Sequence, residues 1–215
     1  MKKLPKHIFV TGIDTNVGKT VVSSILVQAL QADYWKPVQA GNIEATDAET
    51  LQTLISTTTS QIHPAAYDLK APVVPIHAAE LEGVEINVSD ISLPETSNRL
   101  IVEGAGGLMV HLGKDLMVID LIQHLDLPVI LVSKNYLGSI NHTLLSIEAL
   151  QRRGIEILGI IYCGDRSEHM RSLVFDSTGV PEIGSIETTD VVNKDFINEQ
   201  AKHLLSSFKK YFVIE

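Results

Sequence analysis

Apolar and polar positions follow two different patterns along this chain of 215 residues. Some segments are short, unbroken apolar runs rich in β-branched residues, which is typical of strands buried on both faces of a parallel sheet. One such run begins at Ile8 and leads into a glycine-rich loop, and it predicts the first strand. Further strands are predicted at residues 36–38, 100–103, 128–133, 155–162 and 182–186.

Other segments repeat apolar residues every three or four positions, the spacing of a helix with one buried face. The predicted helices follow the glycine-rich loop, span residues 47–55 behind a capping Thr46, run from a capping Ser139 to Gly154, and cover residues 196–208. Strands alternating with helices predict an α/β fold, a mostly parallel sheet with helices on both faces. Prolines and polar residues leave residues 56–94 without a readable pattern.

The glycine-rich loop after the first strand ends in Gly18-Lys19-Thr20 and opens a helix. Gly12 and Gly18 let backbone N–H groups approach an anion, Lys19 supplies a cation, and Thr20 offers a hydroxyl to Mg²⁺. The spacing from Gly12 to Gly18 is one residue longer than the usual signature, so the loop is a variant. A glycine-rich turn with an exposed lysine is the alternative, but the flanking strand and helix favour a phosphate site in a P-loop NTPase-like fold.

Further charged residues fall near the carboxyl ends of other predicted strands, where open parallel sheets form their sites. Lys36 lies in the second strand, Asp47 follows it, and Glu103 ends the third. A buried carboxylate needs a cation, and Mg²⁺ accepts hydroxyl and carboxylate oxygens together with phosphates. Thr20, Asp47 and Glu103 are therefore candidate metal ligands. The alternative is a structural Lys36–Glu103 ion pair, with Asp47 as a residue that starts a helix.

Two weaker signals concern free backbone N–H groups. The glycine run at residues 104–107 offers such groups to an anion or a closely approaching substrate, although a tight turn explains it equally well. The helix that begins at Ser139 offers free N–H groups to a carboxylate, although capping is the commoner role of such a serine.

The amino-acid composition of the chain argues against several classes of function. The formal net charge of −9 and the pI near 5.3 argue against a general nucleic-acid or anionic-membrane surface. The single cysteine, Cys163, excludes an internal disulfide and a multi-thiolate metal site, which favours a reducing compartment. With neither a cleavable leader nor an apolar run of membrane-spanning length, we expect residues 1–215 to form one ATP-binding domain in the cytoplasm.

Taken together and in this order, the motifs resemble those of the dethiobiotin synthetase family, ATP-dependent ring-closing enzymes of biotin synthesis. The matching stretches are residues 11–20, 35–38, 46–48, 102–107, 127–132 and 137–142. The resemblance implies a homodimer that converts 7,8-diaminopelargonic acid, CO₂ and ATP, with Mg²⁺, to dethiobiotin, ADP and phosphate.

The resemblance also implies roles for individual residues. Lys19 would contact the phosphates, Lys36 would lie between carbamate and γ-phosphate, and Thr15 would contact the carbamate. The metal ligands would be Thr20, Asp47 and Glu103. The nucleotide-binding residues would be Gly12, Asn16, Val17, Gly18, Lys19, Thr20, Cys163 and Gly164. The substrate would meet Ala40, Gly106 and Gly107, and its tail carboxylate would reach the backbone of Ser139, Ile140 and Asn141 on the partner subunit.

Several positions depart from the family pattern. Ala40 stands where a serine or threonine is common, and Asn16 replaces a glutamate of some members. Cys163, followed by Gly164, stands where an asparagine often reads adenine, so we expect a looser preference for the nucleotide base. The segment 72–75 lacks the serine that the family carries there.

Two other P-loop families are alternatives. Partitioning and septum-positioning ATPases, switch proteins that bind a partner, usually carry a second lysine early in the loop, whereas residues 13–15 contain none. The ligase domain of cobyric-acid-type amidotransferases needs a glutaminase domain with a nucleophilic cysteine, and Cys163 at the end of a buried strand is better explained as a core thiol.

Overall fold

The computed structural model describes residues 1–41, 45–165 and 167–214. The strands are β1 (Lys2–Lys3), β2 (His7–Gly12), β3 (Asp33–Trp35), β4 (Val38–Ala40), β5 (Ile62–His63), β6 (Tyr67–Leu69), β7 (Leu100–Gly107), β8 (His111–Gly113), β9 (Leu116–Met117), β10 (Val129–Lys134), β11 (Ile157–Cys163), β12 (Glu182–Ile186) and β13 (Phe212–Val213). The helices are α1 (Lys19–Leu30), α2 (Asp47–Leu54), α3 (Pro75–Glu82), α4 (Val118–Leu125), α5 (Ser139–Arg152), α6 (Glu168–Thr178) and α7 (Lys194–Phe208), with a 3-10 turn at Val88–Asp90.

A parallel sheet forms the centre of the described chain. Its seven strands lie in the order β12-β11-β10-β2-β7-β3-β5. β2 lies between β10 and β7, so the loop that follows β2 opens beside the carboxyl ends of both neighbours. The predicted α/β fold with a mostly parallel sheet is confirmed.

The core has two layers, one on each face of the sheet. Ile8 and Val10 of β2 belong to a buried cluster that includes apolar residues of α1 and α7, whereas Phe9 between them belongs to a second cluster with residues of α4. This alternation is the period-two pattern of a strand covered on both sides. The predicted amphipathic faces of α1 and α7 are confirmed, because Val22, Ile25, Leu204 and Phe208 are buried. Within the described residues, no helix is long and apolar enough to cross a membrane.

The predicted strand at residues 36–38 is wrong. β3 ends at Trp35 and a separate strand, β4, begins at Val38, so Lys36 and Pro37 connect two different sheets. Proline has no N–H to continue a ladder. Its carbonyl instead accepts hydrogen bonds from the N–H groups of Ala66 and Tyr67, where β6 begins its pairing with β4.

Other boundaries also differ from the sequence expectation. β7 continues beyond Glu103 to Gly107, and α5 is capped by Gly138 in the left-handed conformation (φ 101°) rather than by Ser139. The Ser139 hydroxyl accepts a hydrogen bond from the N–H of Tyr136 instead. Three helices were not predicted, namely α3, α4 and α6. Of these, α3 starts with Pro75 at its first turn, where a proline costs no intrahelical hydrogen bond.

At the amino end of the sheet, Asp33 is buried and surrounded by donors. Its carboxylate accepts hydrogen bonds from the Thr96 hydroxyl (2.6 Å), the Asn98 amide (2.9 Å) and the Gln61 N–H (2.8 Å), and His63 Nε2 lies 3.1 Å away. Burial alone raises the pKa of this carboxyl, but the hydrogen bonds outweigh burial and hold the pKa below its ordinary value. The network ties β3 to β5 and to the segment that precedes β7.

We predict that this network makes the fold acid-sensitive. Because the folded pKa of Asp33 is depressed, its contribution is complete above the ordinary aspartate pKa of about 4 and is lost as the pH falls through the folded pKa. Asp33→Asn should lower the free energy of unfolding by about 1–3 kcal/mol at neutral pH and flatten its decline in acid. Urea unfolding across acid pH measures both effects, with the surface variant Asp176→Asn as control. An equally steep acid decline in Asp33→Asn would contradict the assignment.

Candidate functional site

The loop between β2 and α1 is shaped for close approach to an anion. A Cβ on Gly12 would lie 2.6 Å from Val17 Cγ2, so only glycine fits there. Asn16 and Gly18 both have positive φ, 58° and 99°. Such turned residues direct backbone N–H groups into one concavity, at the start of a helix whose dipole also favours negative charge.

Lys19 reaches back over this loop. Its ammonium donates a hydrogen bond to the carbonyl oxygen of Asp14 at 3.0 Å, and the side chain is buried. Burial lowers the pKa of this lysine, and the carboxylates of Glu103 and Asp47 only partly oppose the effect. Its charge is therefore incompletely balanced by the protein, as suits a lysine that binds phosphate.

Lys36, Asp47, Glu103 and Thr20 form one polar cluster beside the loop. The Lys36 ammonium forms an ion pair with Asp47 and lies 3.6 Å from Glu103 Oε1. The Thr20 hydroxyl contacts Asp47 and lies 2.9 Å from the same Glu103 oxygen. The structure thus brings together the four residues that the sequence predicted at the carboxyl ends of different strands.

Asp47 is placed by the first turn of α2. Thr46 caps this helix, because its hydroxyl accepts from the N–H of Glu49 while the Glu49 carboxylate accepts from the N–H of Thr46. This capping box fixes the entry of the chain into the helix. Asp47 is the first helical residue, so the box also fixes its side chain against Lys36.

The two carboxylates keep Lys36 charged. Burial lowers the pKa of this lysine, but Glu103 and Asp47 outweigh burial, and the pKa lies above its ordinary value. Burial conversely raises the pKa of Asp47, but Lys36 outweighs it, and that pKa lies below its ordinary value. Lys36 is therefore a permanent buried cation at neutral pH, whereas the carboxylates balance the charge of Lys19 less completely.

The donor set suits a hard divalent cation. Thr20 Oγ1, an oxygen of Asp47 and Glu103 Oε1 lie close together, and Mg²⁺ prefers such oxygens and completes its shell with phosphates and water. No cluster of three or more histidine, cysteine, aspartate or glutamate residues that could hold a metal occurs in the described ranges. Two carboxylates and one hydroxyl supply only part of an octahedral shell.

A cavity of about 880 Å³ opens beside this cluster. The predicted site residues on its wall are Thr15, Asn16, Lys36, Ala40 and Gly106. The segment Pro72-Val73-Val74-Pro75 forms another part of the wall. Gly107 instead lines a second cavity of about 780 Å³, together with Asp14 and residues of α5 such as His142 and Leu145.

Cys163 and Gly164 lie at the carboxyl end of β11. A Cβ on Gly18 would lie 3.1 Å from Cys163 Sγ, which places the thiol directly under the phosphate loop. Burial raises the pKa of this thiol to about 12, so it is neutral at physiological pH. Gly164 has φ 90°, and its missing side chain leaves space between Lys134 and Thr188.

The first turn of α5 presents a backbone N–H surface that is smaller than predicted. The Ser139 N–H already donates to the carbonyl of Tyr136 at 3.0 Å. Ile140 and Asn141 follow, and first-turn N–H groups have no intrahelical acceptor. Tyr136 also contacts the next turn, where its hydroxyl lies 2.7 Å from His142 Nδ1.

Tyr34 is a site residue that sequence reasoning missed. It is fully buried, and its hydroxyl donates to Glu103 Oε2 at 3.1 Å. The available signal was its position two residues before Lys36, since alternate residues of an extended segment point to the same side. The register confirms this placement, because Tyr34 pairs with Ile101, two residues before Glu103.

The chain is similar to known proteins over most of its length. The family model described as AAA domain matches residues 6–195. The chain is 46% identical to the ATP-dependent dethiobiotin synthetase BioD of Christiangramia forsetii, over 93% of this chain and 96% of the relative. It is 47% identical to the BioD of Cytophaga hutchinsonii, over 94% of this chain and 98% of the relative.

Solved structures show the same fold at low identity. The cell division ATPase MinD of Pyrococcus furiosus superimposes with a TM-score of 0.59 at 14% identity, covering 96% of this chain and 99% of that one. A plasmid partition protein of Borrelia burgdorferi bound to AMPPNP gives a TM-score of 0.57 at 14% identity, covering 97% and 99%. These likenesses establish a P-loop α/β fold and nothing about activity. The sequence relatives are closer and cover nearly all of the chain, which therefore belongs to the dethiobiotin synthetase family.

Proposed function

We propose that this protein is an ATP-dependent dethiobiotin synthetase, a ligase of biotin biosynthesis that forms C–N bonds. It would join CO₂ to 7,8-diaminopelargonic acid and close the ureido ring, releasing ADP and phosphate. The observation that carries this proposal is the buried Lys36, which lies between two carboxylates beside the phosphate loop and also lines the 880 Å³ cavity. Residues 1–215 act here as one ATP-binding domain.

The proposed chemistry activates a captured carboxyl group. One substrate amine attacks CO₂ and loses a proton, which gives a carbamate. A carbamate oxygen then takes the γ-phosphoryl group of ATP and releases ADP. The second amine attacks the resulting mixed anhydride, the ring closes, and phosphate leaves. Phosphoryl transfer of this kind depends mostly on positioning and charge neutralisation.

The residues of the cluster divide this work. Lys36 holds a fixed positive charge between the carbamate and the γ-phosphate, while Lys19 and the N–H groups of the loop bind the phosphate chain. Thr15 and Gly106 line the same cavity as Lys36, and only glycine fits at 106, since a Cβ would meet Val110 at 2.7 Å and Thr15 at 3.3 Å. Fixed charges in a buried site need little reorganisation during reaction.

The oxygens of Thr20, Asp47 and Glu103 would hold Mg²⁺. When bound, the metal neutralises phosphate charge and fixes the orientation of the phosphates. The protein's own contribution is to keep Asp47 ionised through Lys36 and to place all three side chains on rigid helix and strand positions.

A homodimer is part of the proposal. The 780 Å³ groove along α5 is bordered by exposed apolar side chains, including Leu145 at 55% and Met109 at 54% exposure. A second copy seated there would bury them and bring the first turn of one α5 towards the substrate of the other subunit, where Ile140 and Asn141 N–H groups meet the tail carboxylate. A partitioning-type ATPase is not favoured, because the proteins of that kind share only the fold. Cytoplasmic location and the absence of nucleic-acid partners stay predictions.

The proposal is tested directly by turnover. Incubation with 7,8-diaminopelargonate, labelled bicarbonate, ATP and Mg²⁺ should transfer label into an acid-stable product, with ADP formed in equal amount. Omission of the diamine is the control. ATP hydrolysis that proceeds at the same rate without the diamine would contradict the assignment.

Alanine substitutions of Lys36 and Lys19 should affect kcat and ATP affinity differently. Lys36→Ala should lower kcat by about a hundredfold or more while ATP affinity changes little, because its charge acts on the reacting groups. Lys19→Ala should damage both kcat and ATP affinity, and the surface variant Lys202→Ala should damage neither. Steady-state kinetics and nucleotide titration separate these effects. Equal losses of ATP affinity in both site variants would refute the role given to Lys36.

The enzyme should discriminate only weakly between ATP and other nucleoside triphosphates. Cys163 is a neutral thiol packed under Gly18 and cannot present the donor and acceptor pair of an amide to adenine. We expect kcat/KM for ATP and CTP to agree within about tenfold, and Cys163→Asn to favour ATP, because polar discrimination needs paired hydrogen-bonding groups. A wild-type preference for ATP of about a hundredfold or more would rule this out.

The dimer is tested by a charge in the groove. Leu145→Asp should convert the protein to monomers, since an unpaired carboxylate at an apolar interface is strongly unfavourable. Leu173→Asp, a matched change at an exposed leucine of α6, should leave the mass unchanged. Light scattering after gel filtration reports the result. A monomeric wild type, or a Leu145→Asp dimer, would overturn this interface.

A further inference from the structure

The two carboxylate oxygens of Glu103 have different surroundings. Oε1 faces the phosphate side of the site, 2.9 Å from the Thr20 hydroxyl and 3.6 Å from the Lys36 ammonium. Oε2 points away from these groups and accepts a hydrogen bond from the Tyr34 hydroxyl at 3.1 Å. Glu103 is 1% exposed, so solvent does not exchange freely with either oxygen.

Tyr34 is held in place by the core and by the sheet. Its ring is fully buried in the core layer that also contains residues of α1 and α2, and its backbone is paired in the sheet on both sides. Burial and the neighbouring negative charge of Glu103 raise the pKa of the hydroxyl well above its ordinary value, so it donates at all relevant pH. The ring needs no hydroxyl for its packing, and the hydroxyl satisfies an oxygen that is otherwise buried and unpaired.

The hydrogen bond from Tyr34 to Glu103 affects how the carboxylate can bind a metal ion. Mg²⁺ requires nearly ideal octahedral geometry and takes carboxylates through few oxygens, while Ca²⁺ accepts both oxygens of one carboxylate in a larger shell. The hydrogen bond from Tyr34 occupies one lone-pair position of Oε2 and holds the carboxylate so that Oε1 is the oxygen that faces the site. For both oxygens to reach one ion, the carboxylate must turn, which distorts the hydrogen bond from Tyr34.

We propose that Tyr34 is a positioning residue that restricts Glu103 to binding the metal through one oxygen and thereby selects Mg²⁺ over Ca²⁺. This inference rests on the proposed function, because that function places the metal at Glu103. Tyr34 itself touches neither metal nor substrate. Its effect is on the number of oxygens that Glu103 presents.

The test compares metal–nucleotide complexes on nucleotide-binding protein, independently of turnover. Dissociation constants of Mg·ADP and Ca·ADP are measured by calorimetric titration for wild type, Tyr34→Phe and the control Tyr162→Phe, which removes the hydroxyl of another buried tyrosine. Tyr34→Phe should shift the ratio of the two constants towards Ca·ADP by about tenfold or more, the size expected from one hydrogen bond to a charged group. Tyr162→Phe should leave the ratio unchanged. A smaller shift in Tyr34→Phe, or an equal shift in the control, would overturn the proposal.

A second measurement needs no variant and covers the case in which Tyr34→Phe folds poorly. In a crystal structure of the wild type with ADP and Ca²⁺, Glu103 should bind the ion through Oε1 alone and keep the contact of Oε2 with Tyr34. Both oxygens on Ca²⁺ would overturn the inference. Failure of the proposed function appears separately, as absent diamine-dependent turnover or as a metal bound away from Glu103.

Discussion

The geometry of the candidate site depends on the ion pairs that the buried Lys36 ammonium forms with two carboxylates. A buried ammonium and a buried carboxylate each lose several kcal/mol of hydration, and only close partners restore it. Here the ammonium is shared by Asp47 and Glu103, and Lys19 supplies a second cation nearby. Removing one of these charged side chains leaves its partner's charge less well compensated, so each charge depends on the others. The same balance gives an incoming polyanion a site whose cations are already in place.

The parallel sheet brings these charged side chains together, although they are far apart in the sequence. β2, β7 and β3 are neighbours, and their carboxyl ends deliver Lys19, Glu103 and Lys36 to one edge. Asp47 comes from a helix rather than a strand, and its capping box compensates for the weaker constraint of a helix start. Thr20, Asp47 and Glu103 thus lie within helices and a strand, and Lys36 directly follows the end of β3.

The cluster could be predicted from the sequence for two reasons. A phosphate-binding loop has a recognisable residue spacing, and the carboxyl ends of neighbouring parallel strands lie at the same edge of the sheet. Sequence reasoning missed Tyr34 because the contact with Glu103 depends on the register between β3 and β7, which composition does not determine. Ser139 was assigned as a cap because serine often has that role, whereas the positive φ of Gly138 supplies the turn. The segment before residue 94 was unreadable because β5 and β6 are too short to show a period, and because Pro75 starts a helix instead of ending one.

The break at Pro37 divides the cavity into two parts with different constraints. Lys36 is attached to the central sheet, whereas Ala40 belongs to the small β4–β6 ribbon and faces the loop at residues 72–75. Substitutions in the ribbon would change a wall that lies in a different sheet from β3 and β7. Mutations in that wall would change which molecules fit the cavity, while the charged cluster beside the central sheet keeps its residues. The substrate range of such a chain can therefore evolve separately from its phosphate chemistry.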